Sequence, residues 1–249
     1  MWRRMTLTMA ALAMVGMIGG SAWAADGNKL MAEVDDLMNA ADDETFVFAA
    51  ETREKGKSPR LIVLKVWIKD GMRLTEFLEP GDLKGTKALT LSASQMYVDL
   101  PEHKKVRLVA SHVSQQGFMG MAYGQADMAL SRYGGVYDAA IKDENGEAWT
   151  LALTPKAGED APYPKMELVI SKKVKRPTVL RYFDASGTLA KTETRSNFNC
   201  EGKICNAKTM QMVDHTKDNL ETTFTLREWK VNTGLSKRKF SVRALQGRR

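Results

Sequence analysis

The chain has 249 residues, with 37 lysines and arginines against 30 aspartates and glutamates, and a formal net charge of +7. A chain of this length fits one β-rich domain or two small domains. The basic residues are scattered and form no run of five, which argues against a nucleic-acid-binding segment. We therefore expect no nucleic-acid partner and, at most, mild attraction to anionic membrane surfaces.

The first 24 residues have the three parts of a cleavable export signal. Arg3 and Arg4 supply positive charge, residues 5–20 carry no charge, and residues 21–24 read Ser-Ala-Trp-Ala, which ends in the small-x-small pattern of signal peptidase sites. The uncharged stretch is shorter than the ~20 residues that span a bilayer. We predict cleavage after Ala24 and a soluble protein in the periplasm, with residues 25–249 forming a single domain.

A helix is predicted at the start of this domain. Asp26 is a candidate N-cap, and the apolar residues that follow recur at helical spacing: Leu30, Val34, Leu37 and Met38. We therefore expect a helix with one apolar face.

From Thr45 the apolar residues alternate, which predicts strands instead of helices. Turn pairs such as Asp70-Gly71, Asn145-Gly146 and Glu201-Gly202 separate the alternating stretches. Roughly ten short strands in up-and-down order predict one antiparallel sheet that is strongly curved or nearly closed.

Residues 114–135 interrupt this alternation. The segment starts with Gly117, Gly120 and Gly124, is helix-like over residues 125–132 and ends at Gly134-Gly135. Two interpretations remain open, an ordinary connection with a short core helix and a mobile lid, because long loops in compact domains are frequently functional.

The two cysteines, Cys200 and Cys205, predict a disulfide. An exported chain folds in an oxidising compartment, and a hairpin turning at Gly202 would bring the two side chains within bridging distance. Their spacing is not C-x-x-C, and no histidine partners suggest a metal site.

No catalytic pattern is recognisable. His103, His112 and His215 are far apart in the sequence and lack metal-ligand spacing, and neither a G-x-S-x-G elbow nor a phosphate-binding glycine loop is present. We predict no enzyme activity, no catalytic residue, no metal and no cofactor. A secreted enzyme remains an alternative, because catalytic groups can assemble from distant residues.

Several segments, taken in order, resemble the LolA-like family of periplasmic outer-membrane lipoprotein-sorting proteins. The matching stretches are residues 65–73 (KVWIKDGMR), 79–80, 83–85, 96–101 (MYVDLP), 105–107, 118–120, 127–128, 177–187, 210, 214, 222–226 and 240. No single stretch is diagnostic, but the ordered set covers nearly the whole chain after residue 24.

The resemblance implies a mainly β fold with some α-helix. Its sheet would be a strongly curved antiparallel sheet, an incomplete β-barrel, with helices covering the mouth. Such carriers take an acylated lipoprotein or related lipid from an inner-membrane transporter and deliver it to an outer-membrane acceptor. A barrel of this size can hold a ligand instead of packing solid.

The predicted lipid-binding site is the apolar face of the sheet together with two lid residues, Phe118 and Met119. The sheet residues are Phe46, Phe48, Ile62, Leu64, Val66, Ile68, Met96, Val98, Leu100, Leu151, Leu153, Met166, Leu168 and Ile170. Ten methionines beyond residue 24 suit a surface that accepts varied apolar shapes. A β-bulge would reverse the face assigned to any one strand.

Two further alternatives use the same sequence. A module of the same fold could sense lipids or lipoproteins and signal to a membrane regulator, although it should then have a second domain or a stable partner. A transmembrane barrel is disfavoured, because Lys65, Lys69 and Lys87 fall on a face that would meet lipid.

Overall fold

The structure is a computed structural model that describes residues 20–92, 95–103, 105–109 and 117–247. The first 19 residues of the predicted export signal lie outside the described residues, and so does His112. Within the described ranges, no helix has the length and apolar character needed to cross a membrane.

Thirteen strands form one antiparallel sheet. They are β1 (Asp43–Arg53), β2 (Arg60–Lys69), β3 (Met72–Glu79), β4 (Lys87–Ser92), β5 (Gln95–Leu100), β6 (Lys105–Val109), β7 (Tyr137–Glu144), β8 (Ala148–Pro155), β9 (Lys165–Ser171), β10 (Arg176–Phe183), β11 (Leu189–Glu201), β12 (Ile204–Asp214) and β13 (Leu220–Val231). The α-helices are α1 (Gly20–Met38), α2 (Gln125–Ala129) and α3 (Val242–Leu245), and short 3-10 helices cover Pro101–His103, Phe118–Gly120 and Lys237–Lys239.

The sheet consists of two meanders that join in its middle. Strands β6 to β1 follow one another in space, β1 pairs with β13, and the order then runs back from β13 to β7. The two edge strands, β6 and β7, are therefore consecutive in the chain and are not paired with each other. The sheet is not closed into a barrel, which confirms the predicted mainly β fold with an incomplete barrel.

One core lies on the inner face of this sheet. Its buried side chains come from both meanders, including Phe77 of β3 and Leu168 of β9, so the sheet curves around them. A smaller cluster lies on the outer face, where Phe240 and Leu245 near the C-terminus pack on Leu74 and Leu89.

Helix α1 starts earlier than the sequence suggested. It begins at Gly20, so Asp26 lies inside the helix and the predicted N-cap is wrong. Alanine-rich sequence before Asp26 has high helix propensity, which extends the helix toward the N-terminus. The predicted apolar face is right for Val34, which is fully buried, but it omitted Met31, which is equally buried.

The same helix covers the edge strand β7. The Asn28 side-chain oxygen accepts a hydrogen bond of 2.7 Å from the Ala139 N–H. At Gly27 the two backbones are so close that a Cβ would lie 2.4 Å from the Ala139 carbonyl oxygen. An uncovered strand edge is a template for pairing with other chains, so α1 protects this edge.

Two local predictions need correction. Strand β7 (YDAAIKDE) was not predicted, because few of its residues are strongly apolar and the alternation signal is weak. The helix expected over residues 125–132 is shorter, since α2 ends at Ala129.

The disulfide prediction is confirmed. Cys200 and Cys205 lie directly opposite each other in the β11–β12 hairpin and are bonded. Gly202 has a φ of 60°, a left-handed conformation that glycine adopts without steric cost, and it lies at the turn.

Replacing Gly27 by alanine should destabilise the protein. The new methyl group would collide with the backbone of β7, which cannot move away as a flexible side chain would. We expect the free energy of unfolding to fall by about 1–3 kcal/mol in chemical denaturation. Gly81→Ala is the control, because nothing lies within 4 Å of the added carbon there. Equal stability of both variants would contradict the close packing of α1 on β7.

Candidate functional site

A cavity of about 210 Å³ lies on the inner face of the sheet. Its walls come from β1 to β5 on one side and from β11 to β13 on the other, and residues 117–131 form a roof. The lining residues are Met38, Asn39, Glu44, Phe46, Phe48, Leu64, Val66, Ile68, Gly71, Arg73, Thr75, Phe77, Ala88, Thr90, Met96, Phe118, Met121, Tyr123, Asp127, Met128, Leu130, Ser131, Glu193, Arg195, Asn206, Ala207, Met210 and Phe224.

The strand register determines which side chains of β1 to β5 reach this cavity. One row of directly paired residues crosses the five strands: Glu44, Ile68, Arg73, Thr90 and Met96. Side chains alternate between the two faces of a strand, so a row of paired residues shares one face. All five residues line the cavity, and this charged row forms one end of the wall.

The next two rows are mainly apolar. Two residues further along, the paired residues are Phe46, Val66, Thr75, Ala88 and Val98. Beyond them lie Phe48, Leu64 and Phe77. All of these except Val98 line the cavity. The wall therefore changes from charged to apolar along the strands.

The opposite wall contains an ion pair from β11. Arg195 Nε lies 2.7 Å from Glu193 Oε1, and the Tyr182 hydroxyl donates to Glu193 Oε2 at 2.8 Å. Burial disfavours the charge of Arg195, but the adjacent Glu193 carboxylate raises its pKa well above the usual range. Arg195 therefore stays charged beside its acidic partner.

Glu44 and Arg73 of the charged row are not paired in this way. Glu44 accepts hydrogen bonds from Asn206 Nδ2 at 2.6 Å and from Trp229 Nε1 at 3.1 Å, and burial raises its pKa. Arg73 is partly exposed, and burial by its surroundings lowers its pKa to about 10, so it stays protonated at neutral pH.

Asp127 of α2 fixes the roof to the sheet. Its carboxylate accepts hydrogen bonds from the Gly124 N–H at 2.6 Å, from Lys191 Nζ at 2.7 Å and from the Tyr163 hydroxyl at 2.5 Å. The carboxylate is fully buried, so these partners replace the water it has lost. Ala122 adds a further tie, because its N–H donates to Thr222 Oγ1 at 2.9 Å.

Tyr123 extends from the roof into the cavity. Its ring packs edge-on against Phe224, with 4.9 Å between the ring centroids. The residue is only 4% exposed, and its hydroxyl has no hydrogen-bond partner among the described residues. Burial raises the pKa of Tyr123 well above its usual value, so the hydroxyl keeps its proton.

The sixteen residues predicted from the sequence to bind lipid all face the same core. Those that line the cavity are Phe46, Phe48, Leu64, Val66, Ile68, Met96 and Phe118. Those in or against the core without lining the cavity are Ile62, Val98, Leu100, Met119, Leu151, Leu153, Met166, Leu168 and Ile170. Among them, Met119 has a left-handed backbone conformation, and its carbonyl oxygen accepts a hydrogen bond from Arg60. The role of the sixteen residues in lipid binding stays a prediction.

Sequence reasoning missed the polar members of the cavity, chiefly Arg73, Glu193 and Arg195. The signal that could have found them is alternation, since Arg73 is two residues from Thr75 and four from Phe77 on one face of β3. Charged residues are usually exposed, so a sequence-based assignment places them on the solvent side of a strand. Arg73 was therefore not assigned to the inner face. In the described part of the chain, no three His, Cys, Asp or Glu side chains are grouped to hold a metal ion.

One family model and several solved structures are similar to this chain. The family model is described as "Uncharacterized protein" and matches residues 69–247. A DUF1329 family protein from Desulfovibrio piger has a TM-score of 0.82 and 20% identity, covering 90% of this chain and 99% of its own. No curated protein sequence matches the chain.

Two further structures extend the comparison. A proposed outer membrane lipoprotein-sorting protein domain from Vibrio parahaemolyticus has a TM-score of 0.78 and 25% identity, covering 90% of this chain and 99% of its own. A LolA superfamily protein from Nitrosomonas europaea has a TM-score of 0.71 and 19% identity, covering 86% and 97%.

Replacing Asp127 by alanine should loosen the roof and destabilise the fold. The change removes the acceptor of three buried donors, and removing one member of a buried ion pair costs about 3–5 kcal/mol. Chemical denaturation measures the loss. Asp36→Ala is the control, because its ion pair with Arg132 is exposed and should contribute little. If both variants are as stable as the parent, Asp127 does not anchor the roof.

Proposed function

The chain belongs to the family whose model matches residues 69–247 and is LolA-like, and we propose that it is a periplasmic carrier of acyl chains. Its cargo would be an acylated lipoprotein or a related lipid, received from an inner-membrane transporter and delivered to an outer-membrane acceptor. The observation that carries the proposal is the cavity, in which two rows of mainly apolar side chains face a roofed space on the inner side of an open sheet.

The energetics of acyl chains make such a cavity useful. Each CH₂ group removed from water contributes ~0.8 kcal/mol, so a free chain partitions strongly into a membrane and does not cross an aqueous space unaided. A carrier must shield the chain in transit and still release it. Five methionines, Met38, Met96, Met121, Met128 and Met210, line the cavity, and their flexible side chains can repack as a chain enters and leaves.

The size of the cavity limits what it holds. Its volume of about 210 Å³ is below the ~300–1,000 Å³ common for small-molecule sites. A single chain therefore fits better than several chains at once, unless the roof moves. In the proposed cycle the roof segment controls entry, because Phe118, Met121 and Tyr123 occupy the face of the cavity opposite the sheet.

A non-catalytic role agrees with the state of the acidic groups at the cavity. Glu193 is paired with Arg195, Asp127 with Lys191, and Glu44 accepts from two donors. Each group has its own structural partners, and we propose no acid–base or nucleophilic chemistry for them.

A charge placed on the apolar wall should abolish acyl-chain binding. We expect Val66→Glu to reduce binding of a fluorescent fatty-acyl probe at least about tenfold, because the new carboxylate would either be desolvated or pair with Arg73, and in both cases would place charge where the chain would lie. Leu61→Glu is the control on the same strand, since Leu61 is 45% exposed on the surface. Circular dichroism must show that both variants are folded. Unchanged binding by folded Val66→Glu would contradict the carrier proposal.

Histidine replacement separates a carrier from an enzyme. His215 is exposed and hydrogen-bonds Thr192 and Asn219, away from the cavity. His215→Ala should therefore bind the same probe as the parent does. If His215→Ala lost probe binding while folded Val66→Glu bound the probe normally, a secreted enzyme would become the better interpretation.

The exported protein should begin at Ala25. This expectation rests on the Ser-Ala-Trp-Ala sequence at residues 21–24. N-terminal sequencing of protein recovered from the periplasmic fraction tests it. Retention of Met1, or recovery of the protein only from the cytosol, would be inconsistent with the proposed location.

A further inference from the structure

Arg73 is a cation on the cavity wall without a direct partner. It makes no hydrogen bond and no ion pair with any residue that the structure describes. A guanidinium carries five N–H donors, and no acceptor among the described residues takes any of those of Arg73. Arg73 is partly exposed in the cavity, so water can hydrate the group until a ligand with acceptor atoms replaces it.

The nearest acid in its row cannot satisfy it. Ile68 of β2 lies between Glu44 of β1 and Arg73 of β3. Two strand spacings therefore separate the backbones of Glu44 and Arg73, a distance of about 9–10 Å. The two charges attract each other, but Glu44 is already bound by Asn206 and Trp229. The acids of the other wall and the roof are also engaged, Glu193 by Arg195 and Asp127 by Lys191.

A second donor without a well-formed hydrogen bond lines the same cavity. The Tyr123 hydroxyl is buried, and the acceptor beside it, the Glu193 carboxylate, is already bound by Arg195 and Tyr182. Arg73 and Tyr123 both interact electrostatically with Arg195 of β11. A guanidinium without a protein acceptor and a hydroxyl without a well-formed hydrogen bond in one cavity indicate a ligand that brings acceptor atoms.

We propose that Arg73 binds the oxyanion head group, a carboxylate or a phosphate, of a single-chain amphiphile whose chain lies on the apolar rows. This inference rests on the proposed carrier function and names the chemical class of the ligand. A planar guanidinium binds either group through two parallel N–H···O bonds. The Tyr123 hydroxyl is then available to a further ligand oxygen.

The arrangement of the rows fits such a ligand. The head group would lie at the charged row, and the chain would pass the row of Phe46 and Val66 toward Phe48 and Phe77. Four residues along a strand span about 13 Å, which is the length of apolar wall available beyond Arg73. A wall of this length and a cavity of about 210 Å³ accept part of one chain.

The test compares three ligands that share one chain and differ in the head group: hexadecanoate, hexadecyl phosphate and hexadecanol. Each displaces a fluorescent fatty-acyl probe from the purified protein, and the displacement constants are compared. We expect at least one anion to bind about 10- to 100-fold more tightly than the alcohol, as for a charged hydrogen bond. The tighter anion identifies whether a carboxylate or a phosphate is preferred.

Variants of Arg73 assign this preference. Arg73→Met should bind the alcohol as the parent does and lose the preference for the anion, whereas Arg73→Lys, which keeps the charge but not the two parallel donors, should retain only part of it. Arg227→Met is the control for general attraction to a basic protein, because Arg227 is exposed on β13 outside the cavity. Arg73→Met should not lower the melting temperature, because it removes no hydrogen bond or ion pair with a described residue.

The outcomes separate this inference from the carrier proposal. Equal binding of all three ligands by the parent protein would overturn the head-group site and leave the carrier function standing. Persistence of the anion preference in Arg73→Met, or its loss in Arg227→Met, would also overturn it. If the protein binds neither the probe nor any of the three ligands, the carrier function itself fails.

Discussion

The pairing of β1 with β13 is the constraint on which the rest of the molecule depends. It joins two meanders into one sheet and leaves β6 and β7, which are consecutive in the chain, at opposite edges. The connection between them must therefore run from one edge to the other, and residues 117–131 cross the inner face as a roof. The joint also anchors that roof, because Thr52 and Thr222 are paired across it with their hydroxyls 2.8 Å apart, and Thr222 accepts from the Ala122 N–H.

The same sheet register that builds the core also produces an uneven cavity. Strand pairing places residues in rows, so polar residues of β1, β3 and β4 at the same level create a charged end, and mainly apolar residues at the next levels create an apolar wall. An amphiphile has the same division into head and chain. A fully apolar cavity would bind any hydrophobic molecule, whereas a charged row at one end would orient an amphiphilic ligand and discriminate between head groups.

Alternation in the sequence was enough to predict the fold class and the inward face of most strands, because the inner face is buried and a one-residue error would expose it. Phe46, Phe48, Leu64 and Val66 were assigned to the correct face for this reason. The charged members of the cavity were not predicted, because the inner face was assigned from apolar residues only. Arg73 occupies an inward position of the alternation but is charged. The network around Asp127 joins residues 64 positions apart, and no local pattern reveals such a pair. Strand β7 was missed because few of its residues are strongly apolar, and only Tyr137 and Ala139 of the strand are buried.

Release sets the last requirement on a carrier. If binding came only from burial of the chain, every CH₂ group would add ~0.8 kcal/mol, and a long chain would be held as firmly as a membrane holds it. In the proposed carrier a short apolar wall would limit this contribution, because only part of the chain would be covered. An oxyanion bound at Arg73 would supply the remaining affinity through an interaction that depends on geometry and exclusion of water. Movement of the roof would admit water to the charged row and weaken that contact first. The chain would then be retained by the weaker apolar part alone, so opening would convert a bound ligand into one that a membrane can accept.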